Sequence, residues 1–123
     1  MDLPSGLTIA VDPRHSGTLY VGTDGDGILK SVDGGIKWNA VNSGLKATSV
    51  STVTVDPQNS DILYAGTDVS GLFKTTDRGG HWTQAGLPVK LYIGAIAIDA
   101  QNPSTIYVLA NGKIFKSTDA AAT

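Results

Sequence analysis

Apolar residues in this 123-residue chain fall in short bursts, each closed by a cluster of Gly, Pro, Asn or Asp. No window keeps a helical period over three turns, so the bursts predict strands, not helices. In order they are Leu7–Val11, Thr18–Gly22, Gly27–Ser31 and Lys37–Val41, then Ser51–Val55, Ile62–Gly66, Gly71–Thr75 and His81–Ala85. A third set, Gly94–Ile98, Thr105–Leu109 and Lys113–Ser117, has no fourth member. Small and β-branched residues alone make up Ile93–Ile98, which suits an innermost strand covered on both sides.

The sets are copies of one another. Val11-Asp12-Pro13, Val55-Asp56-Pro57 and Ile98-Asp99-Ala100 correspond at steps of 44 and 43 residues, as do Leu19-Tyr20, Leu63-Tyr64 and Ile106-Tyr107. Gly22-Thr23-Asp24 matches Gly66-Thr67-Asp68, while the third copy carries Leu109-Ala110-Asn111. Ile28-Leu29-Lys30, Leu72-Phe73-Lys74 and Ile114-Phe115-Lys116 each lead into a turn sequence of the form S/T-x-D-x-G-x-x-W. The turn is complete at Ser31, Asp33, Gly35 and Trp38 and again at Thr75, Asp77, Gly79 and Trp82. In the third copy Ser117 and Asp119 are present, Ala121 stands where glycine is expected, and no tryptophan follows.

Those residue types suit a turn that holds itself shut. Glycine supplies the positive φ of tight hairpins, and aspartate and hydroxyl oxygens accept from turn N–H groups. The tryptophan brings apolar surface that locks the turn down, so Trp38 and Trp82 are both expected in the core. Four strands per repeat of this length define a propeller blade, and a blade must stack on neighbours to bury its faces. The expected fold is therefore all-β. Two complete four-stranded antiparallel blades (about 5–45 and 46–90) precede a third lacking its outer strand (about 91–123). Three full units would need about 131 residues.

The octapeptides Ser31–Trp38 and Thr75–Trp82 resemble Asp-box, or BNR, repeats. These lie between the third and fourth strands of blades in sialidases, xyloglucan-active endoglucanases, sortilin-type receptors and a photosystem II assembly factor. The flanking Ile9–Pro13 and Leu19–Thr23 are similar to tandem repeats of bacterial extracellular propellers. The resemblance implies a propeller, a rim position for the box away from catalytic centres, and an extracellular or periplasmic setting.

Composition narrows the chemistry. There is no cysteine, so disulfides, thiolate metal sites and a cysteine nucleophile are excluded. Nine Lys and Arg are scattered singly and the net charge is −2, so nucleic acid is not an expected partner. All eleven acidic residues are aspartates, which fits a turn-rich protein. Apolar runs are too short to span a membrane, and no signal peptide is expected within this chain.

Sialidases, which the boxes resemble, use three arginines and a Tyr–Glu pair. This chain has only Arg14 and Arg78 and no Glu. Paired carboxylates could hydrolyse glycosides, but Asp12, Asp56 and Asp99, Asp24 and Asp68, and Asp33, Asp77 and Asp119 recur with the repeat and are read as serving it. Asp2, Asp26 and Asp61 do not recur and lie in or near turns. Asp24-Gly25-Asp26-Gly27 lacks the remaining ligands of a calcium loop, and Gly25-x-Gly27 is no dinucleotide fingerprint. His15 and His81 are expected to face solvent, outside any Ser-His-Asp set. No catalytic residue, metal or cofactor is expected.

The expected function is a non-catalytic structural or binding module with a protein or carbohydrate ligand. The alternative is part of a carbohydrate-active propeller enzyme whose catalytic residues lie elsewhere. Three blades leave two apolar faces and a strand edge to be covered, either by further blades of a parent chain or by self-association into a ring.

Overall fold

In a computed structural model, which describes residues 8–45, 49–68, 70–86 and 92–121, the chain forms three antiparallel sheets. The first holds β1 (Thr8–Val11), β2 (Leu19–Gly22), β3 (Ile28–Ser31) and β4 (Asn39–Ala40) in chain order. The second holds β5 (Val50–Val55), β6 (Leu63–Thr67), β7 (Leu72–Thr75) and β8 (Thr83–Gln84). The third holds β9 (Ile93–Ile98), β10 (Ile106–Ala110) and β11 (Lys113–Ser117), and among the described residues it has no fourth strand. Strands β1, β5 and β9 pack side by side, so each is the inner strand of its blade. Leu7, expected to start β1, lies outside the described residues.

The repeat registers are the same. Tyr20 pairs with Lys30 and Val21 with Leu29, as Tyr64 pairs with Lys74 and Ala65 with Phe73. Alternation then sorts each blade into a forward face, turned to the blade that follows, and a rear face, turned to the blade before. Two cores result. The forward residues Tyr20 and Ile28 meet the rear residues Val53, Val55, Leu63, Ala65, Phe73 and Trp82. Tyr64 and Leu72 meet Ile106 and Val108, with Ile96, Ile98 and Phe115 packed alongside. Each such side chain fully buried contributes about 1.5–3 kcal/mol, so the blades are held face to face by the hydrophobic effect.

The fourth strands are shorter than expected, two residues in place of five. At β8 the Trp82 N–H donates at 2.7 Å to the Ser43 carbonyl of the preceding blade and not to the ladder. Single bonds from Val41 N to Ile28 O and from Ala85 N to Leu72 O extend the pairing past β4 and β8. The inner strand β9 is covered on one side only, against expectation. Ile93 is buried and Ile96 and Ile98 are partly so, but Gly94, Ala95 and Ala97 on the forward face are exposed.

Close approach of the blades rests on two glycines. A Cβ on Gly22 would lie 2.8 Å from Val50 Cγ1, and one on Gly66 would lie 2.4 Å from Ile93 Cγ2. At the same position the third blade carries Leu109, which is 43% exposed. Its hairpin turns on Asn111 and Gly112, at φ 50° and 76°, the pair of positive angles a two-residue turn requires.

Candidate functional site

The three aspartate turns share one hydrogen-bond scheme. Ser31 Oγ donates to Asp33 Oδ1 at 2.8 Å and accepts from Gly35 N at 2.9 Å. Asp33 Oδ1 also accepts from Ile36 N at 3.1 Å and Lys37 N at 2.9 Å. In the second turn Thr75 Oγ1 donates to Asp77 Oδ1 at 2.6 Å and accepts from Gly79 N at 3.1 Å, and Asp77 Oδ1 accepts from His81 N at 2.8 Å. The third turn forms as well. Ser117 Oγ donates to Asp119 Oδ1 at 2.7 Å and accepts from Ala121 N at 3.0 Å, with Ala121 held at φ 69°. Alanine there occupies a left-handed backbone that costs about 1–2 kcal/mol and that glycine adopts freely. The bonds set the acidity of the first two carboxyls. The Lys37 N–H and the Ser31 hydroxyl hold Asp33 below its ordinary value, and the Thr75 hydroxyl and the His81 N–H do the same for Asp77.

The two tryptophans differ. Trp82 is 1% exposed, and its indole N–H donates across the blade boundary to Val41 O at 2.7 Å. Trp38 is only partly buried, and its N–H turns back to Gly35 O of its own turn at 3.0 Å. The expectation of two core tryptophans is corrected for Trp38. Its ring lies on the rear face of the first blade, where the described residues offer no preceding blade. The Trp82 ring packs with Leu63, Ala65 and Phe73 of its own blade and with Tyr20 and Ile28 of the preceding one, and so joins its turn to both.

A second repeated contact was not assigned a role from sequence, though both of its residues recur with the repeat. Tyr20 OH and Lys30 Nζ, both on the forward face, donate to Arg78 O at 3.5 and 3.2 Å. Tyr64 OH and Lys74 Nζ donate likewise to Ala120 O at 3.4 and 2.9 Å. Arg78 and Ala120 are the fourth residues of the turns in the following blades, at φ 60° and 58°. Burial, reinforced for Tyr20 by the Asp12 charge and for Tyr64 by that of Asp56, pushes both phenols up to about 12. Burial, then the Arg78 charge, lowers Lys30.

His15 does not simply face solvent. Its Nδ1 lies 3.2 Å from Asp12 Oδ2 and 3.2 Å from Ser60 Oγ, and Ser60 Oγ donates to Asp12 Oδ1 at 2.7 Å. Serine, histidine and aspartate thus meet across the first blade boundary, which the sequence did not suggest because Ser60 has no hydroxyl-bearing counterpart in the third repeat. The geometry is not that of a hydrolytic triad. There the carboxylate and the hydroxyl engage opposite ring nitrogens, whereas here both address Nδ1 and the serine proton goes to the aspartate. Burial alone would raise the Asp12 carboxyl, but bonds from Arg14 N, Ser60 and His15 outweigh it and hold it low. Arg78, the other arginine besides Arg14, pairs with Asp61 at 2.7 Å.

The residues that follow β2 and β6, with those at the entries to β5 and β9, form an open groove of about 260 Å³, lined by Thr23, Asp24, Ser49, Val50, Ser51, Asp68 and Tyr92. Asp24 accepts from Ser49 Oγ at 2.7 Å. The buried Thr23 and Thr67 hydroxyls donate to Gly27 O and Gly71 O and shape the loops. Asp26 is exposed beside the groove. Among the described residues no three of His, Cys, Asp and Glu converge as metal ligands would. His81 is exposed beside Gly44.

No protein-family profile matches this chain, and no curated protein matches it. Solved structures do. An ancestral GH74 enzyme matches with a TM-score of 0.86 at 22% identity, over 94% of this chain and 17% of its own. The GH74 xyloglucanase from Xanthomonas campestris matches at 0.79 and 21% identity, over 94% of this chain and 21% of its own. YCF48 from Cyanidioschyzon merolae matches at 0.71 and 18% identity, over 99% of this chain and 37% of its own. The chain therefore spans about a fifth of each enzyme and little more than a third of YCF48. At these identities the likeness defines the fold. The chain is three consecutive blades of a β-propeller.

Proposed function

We propose that this chain is a non-catalytic propeller module of the Asp-box kind, which builds a ring and presents its loop groove to a protein or carbohydrate ligand. The observation that supports this reading is the use made of the carboxylates. Asp12, Asp33 and Asp77 are spent on backbone and hydroxyl groups, and all three are displaced downward in pKa. A general acid for glycoside hydrolysis needs displacement upward. The hydrogen-bond scheme at Ser31–Trp38 and Thr75–Trp82 supports the Asp-box assignment.

The likeness to GH74 enzymes favours a second reading, in which the blades belong to a carbohydrate-active propeller whose catalytic groups lie beyond these repeats. One experiment separates the two. The chain is incubated with xyloglucan and chromogenic glycosides while binding to the same polysaccharides is measured. Binding without turnover, weakened by Tyr92→Ala or Asp68→Ala, is the expected result. Turnover abolished by Asp26→Asn or Asp68→Asn would overturn the non-catalytic reading.

A further inference from the structure

Of the five asparagines, Asn111 alone is followed by glycine. It opens the two-residue turn between β10 and β11, where the ladder closes on the pair Ala110 and Lys113. Asn111 Oδ1 accepts from Tyr92 N at 3.1 Å, so an N–H group already polarises the side-chain carbonyl. Gly112 N donates to no group among the described residues, since the turn leaves it outside the ladder. A Cβ on Gly112 would meet nothing within 4 Å, so the tip of the turn stands in open space. This exposure does not depend on what stands beyond the third blade. Asp24 and Asp68 occupy the same repeat position, a blade follows each, and both are exposed as Asn111 is.

We propose that Asn111 is a site of spontaneous covalent modification, deamidating through a succinimide formed with Gly112. Gly112 N, on losing its proton, attacks Asn111 Cγ. The N–Cγ bond forms, the Cγ–Nδ2 bond breaks, and Nδ2 leaves as ammonia with that proton. The Tyr92 N–H stabilises the negative oxygen of the tetrahedral intermediate. Water then opens the ring. Attack at Cγ gives aspartate, and attack at the Asn111 main-chain carbonyl gives isoaspartate, whose backbone runs through Cγ. Nothing is oxidised or reduced, and water is the one co-reactant.

The other asparagines lack this combination. Asn42 is held at both ends, its Oδ1 accepting from Ile28 N at 2.7 Å and its Nδ2 donating to Asp26 O at 3.1 Å. Asn59 Oδ1 accepts from Asp61 N at 3.0 Å, and Ser60 behind it is buried. Asn39 lies within β4 and is followed by Ala40, whose Cβ crowds the nitrogen as no glycine does. Pro103 gives Asn102 no N–H to attack with. Asp24-Gly25, Asp26-Gly27 and Asp33-Gly34 share the glycine but present carboxylates, which are poor electrophiles and expel no ammonia.

Both products place a carboxyl beside Tyr92, which lines the groove where Asp24 and Asp68 already stand. Aspartate makes the third repeat match the first two at this position. Isoaspartate puts an extra backbone atom into a two-residue turn, which disturbs the pairing of Ala110 with Lys113.

The inference concerns this hairpin and holds whichever ligand the groove takes. Its test is to incubate the full folded chain at mildly alkaline pH, with circular dichroism as the control for folding, and to map the digest by mass spectrometry. Isoaspartate is located by enzymatic carboxyl methylation. Deamidation is expected at Asn111 ahead of Asn39, Asn42 and Asn59, faster as pH rises, and lost in Asn111→Gln. The isoaspartate fraction should melt below the unmodified chain, and Asn111→Asp should not. A folded chain whose Asn111 stays intact, while the urea-unfolded chain loses its amide there, would overturn the proposal. So would earlier loss at Asn42 or Asn59.

Discussion

Trp38 and Trp82 share a motif, a register and a strand position, yet one is core and the other is not. The difference lies wholly in what stands next to them. Trp82 has the first blade to pack on and the Val41 carbonyl to bond, whereas Trp38 faces outward. Trp82→Ala should therefore destabilise by about 3–5 kcal/mol, as truncation of a buried aromatic does. Trp38→Ala should cost clearly less, and chemical denaturation of the two variants side by side checks the ranking. Equal costs would show that Trp38 is as deeply packed as its counterpart. The motif was legible from residue types alone, since Ser, Asp and Gly meet within eight residues. The Asp12, His15 and Ser60 contact was not, because it joins positions brought together only by stacking.

Among the elements, the inner strands depend most on their neighbours. Nine of the eleven described strands begin and end within one residue of where the bursts of apolar residues place them, because a hairpin is decided by its own turn and alternation. The fourth strands β4 and β8 are shorter than that reading, and at β8 the Trp82 N–H bonds the neighbouring blade and not the ladder. Gly66 illustrates a constraint between elements that no single strand reveals. Its missing side chain is the space that Ile93 fills, so Gly66→Ala should destabilise by about 1–3 kcal/mol through overpacking. A melting temperature equal to that of the wild type would show that the blades can part without cost. The third aspartate turn adds a complementary case. It closes with alanine in place of glycine because three of its bonds run through Ser117 and outlast the loss.

For the whole molecule, stability is expected to depend on acid in a definite direction. Asp12, Asp33 and Asp77 are held below the ordinary aspartate value of 3.8 in the folded chain. Their contribution is fully present above that value and is lost as pH falls through the lower folded-state values. Melting temperature should therefore stay level down to about pH 4 with respect to these groups and then decline, and Asp12→Asn should make the decline shallower. A melting temperature that rises on acidification below 3.8 would refute the assignment.

The sequence by itself determined the blade, because the repeat of about 44 residues carries its own strands, turns and alternation, and these are local interactions. It also determined which residues close the turns. Only the tertiary structure decided which of two equivalent residues is buried. It also showed which carbonyl a tyrosine and a lysine share, and which glycines hold space for a neighbour. Repeats make local structure identical, but burial is a property of what lies across a boundary, and position in the stack differs for every copy.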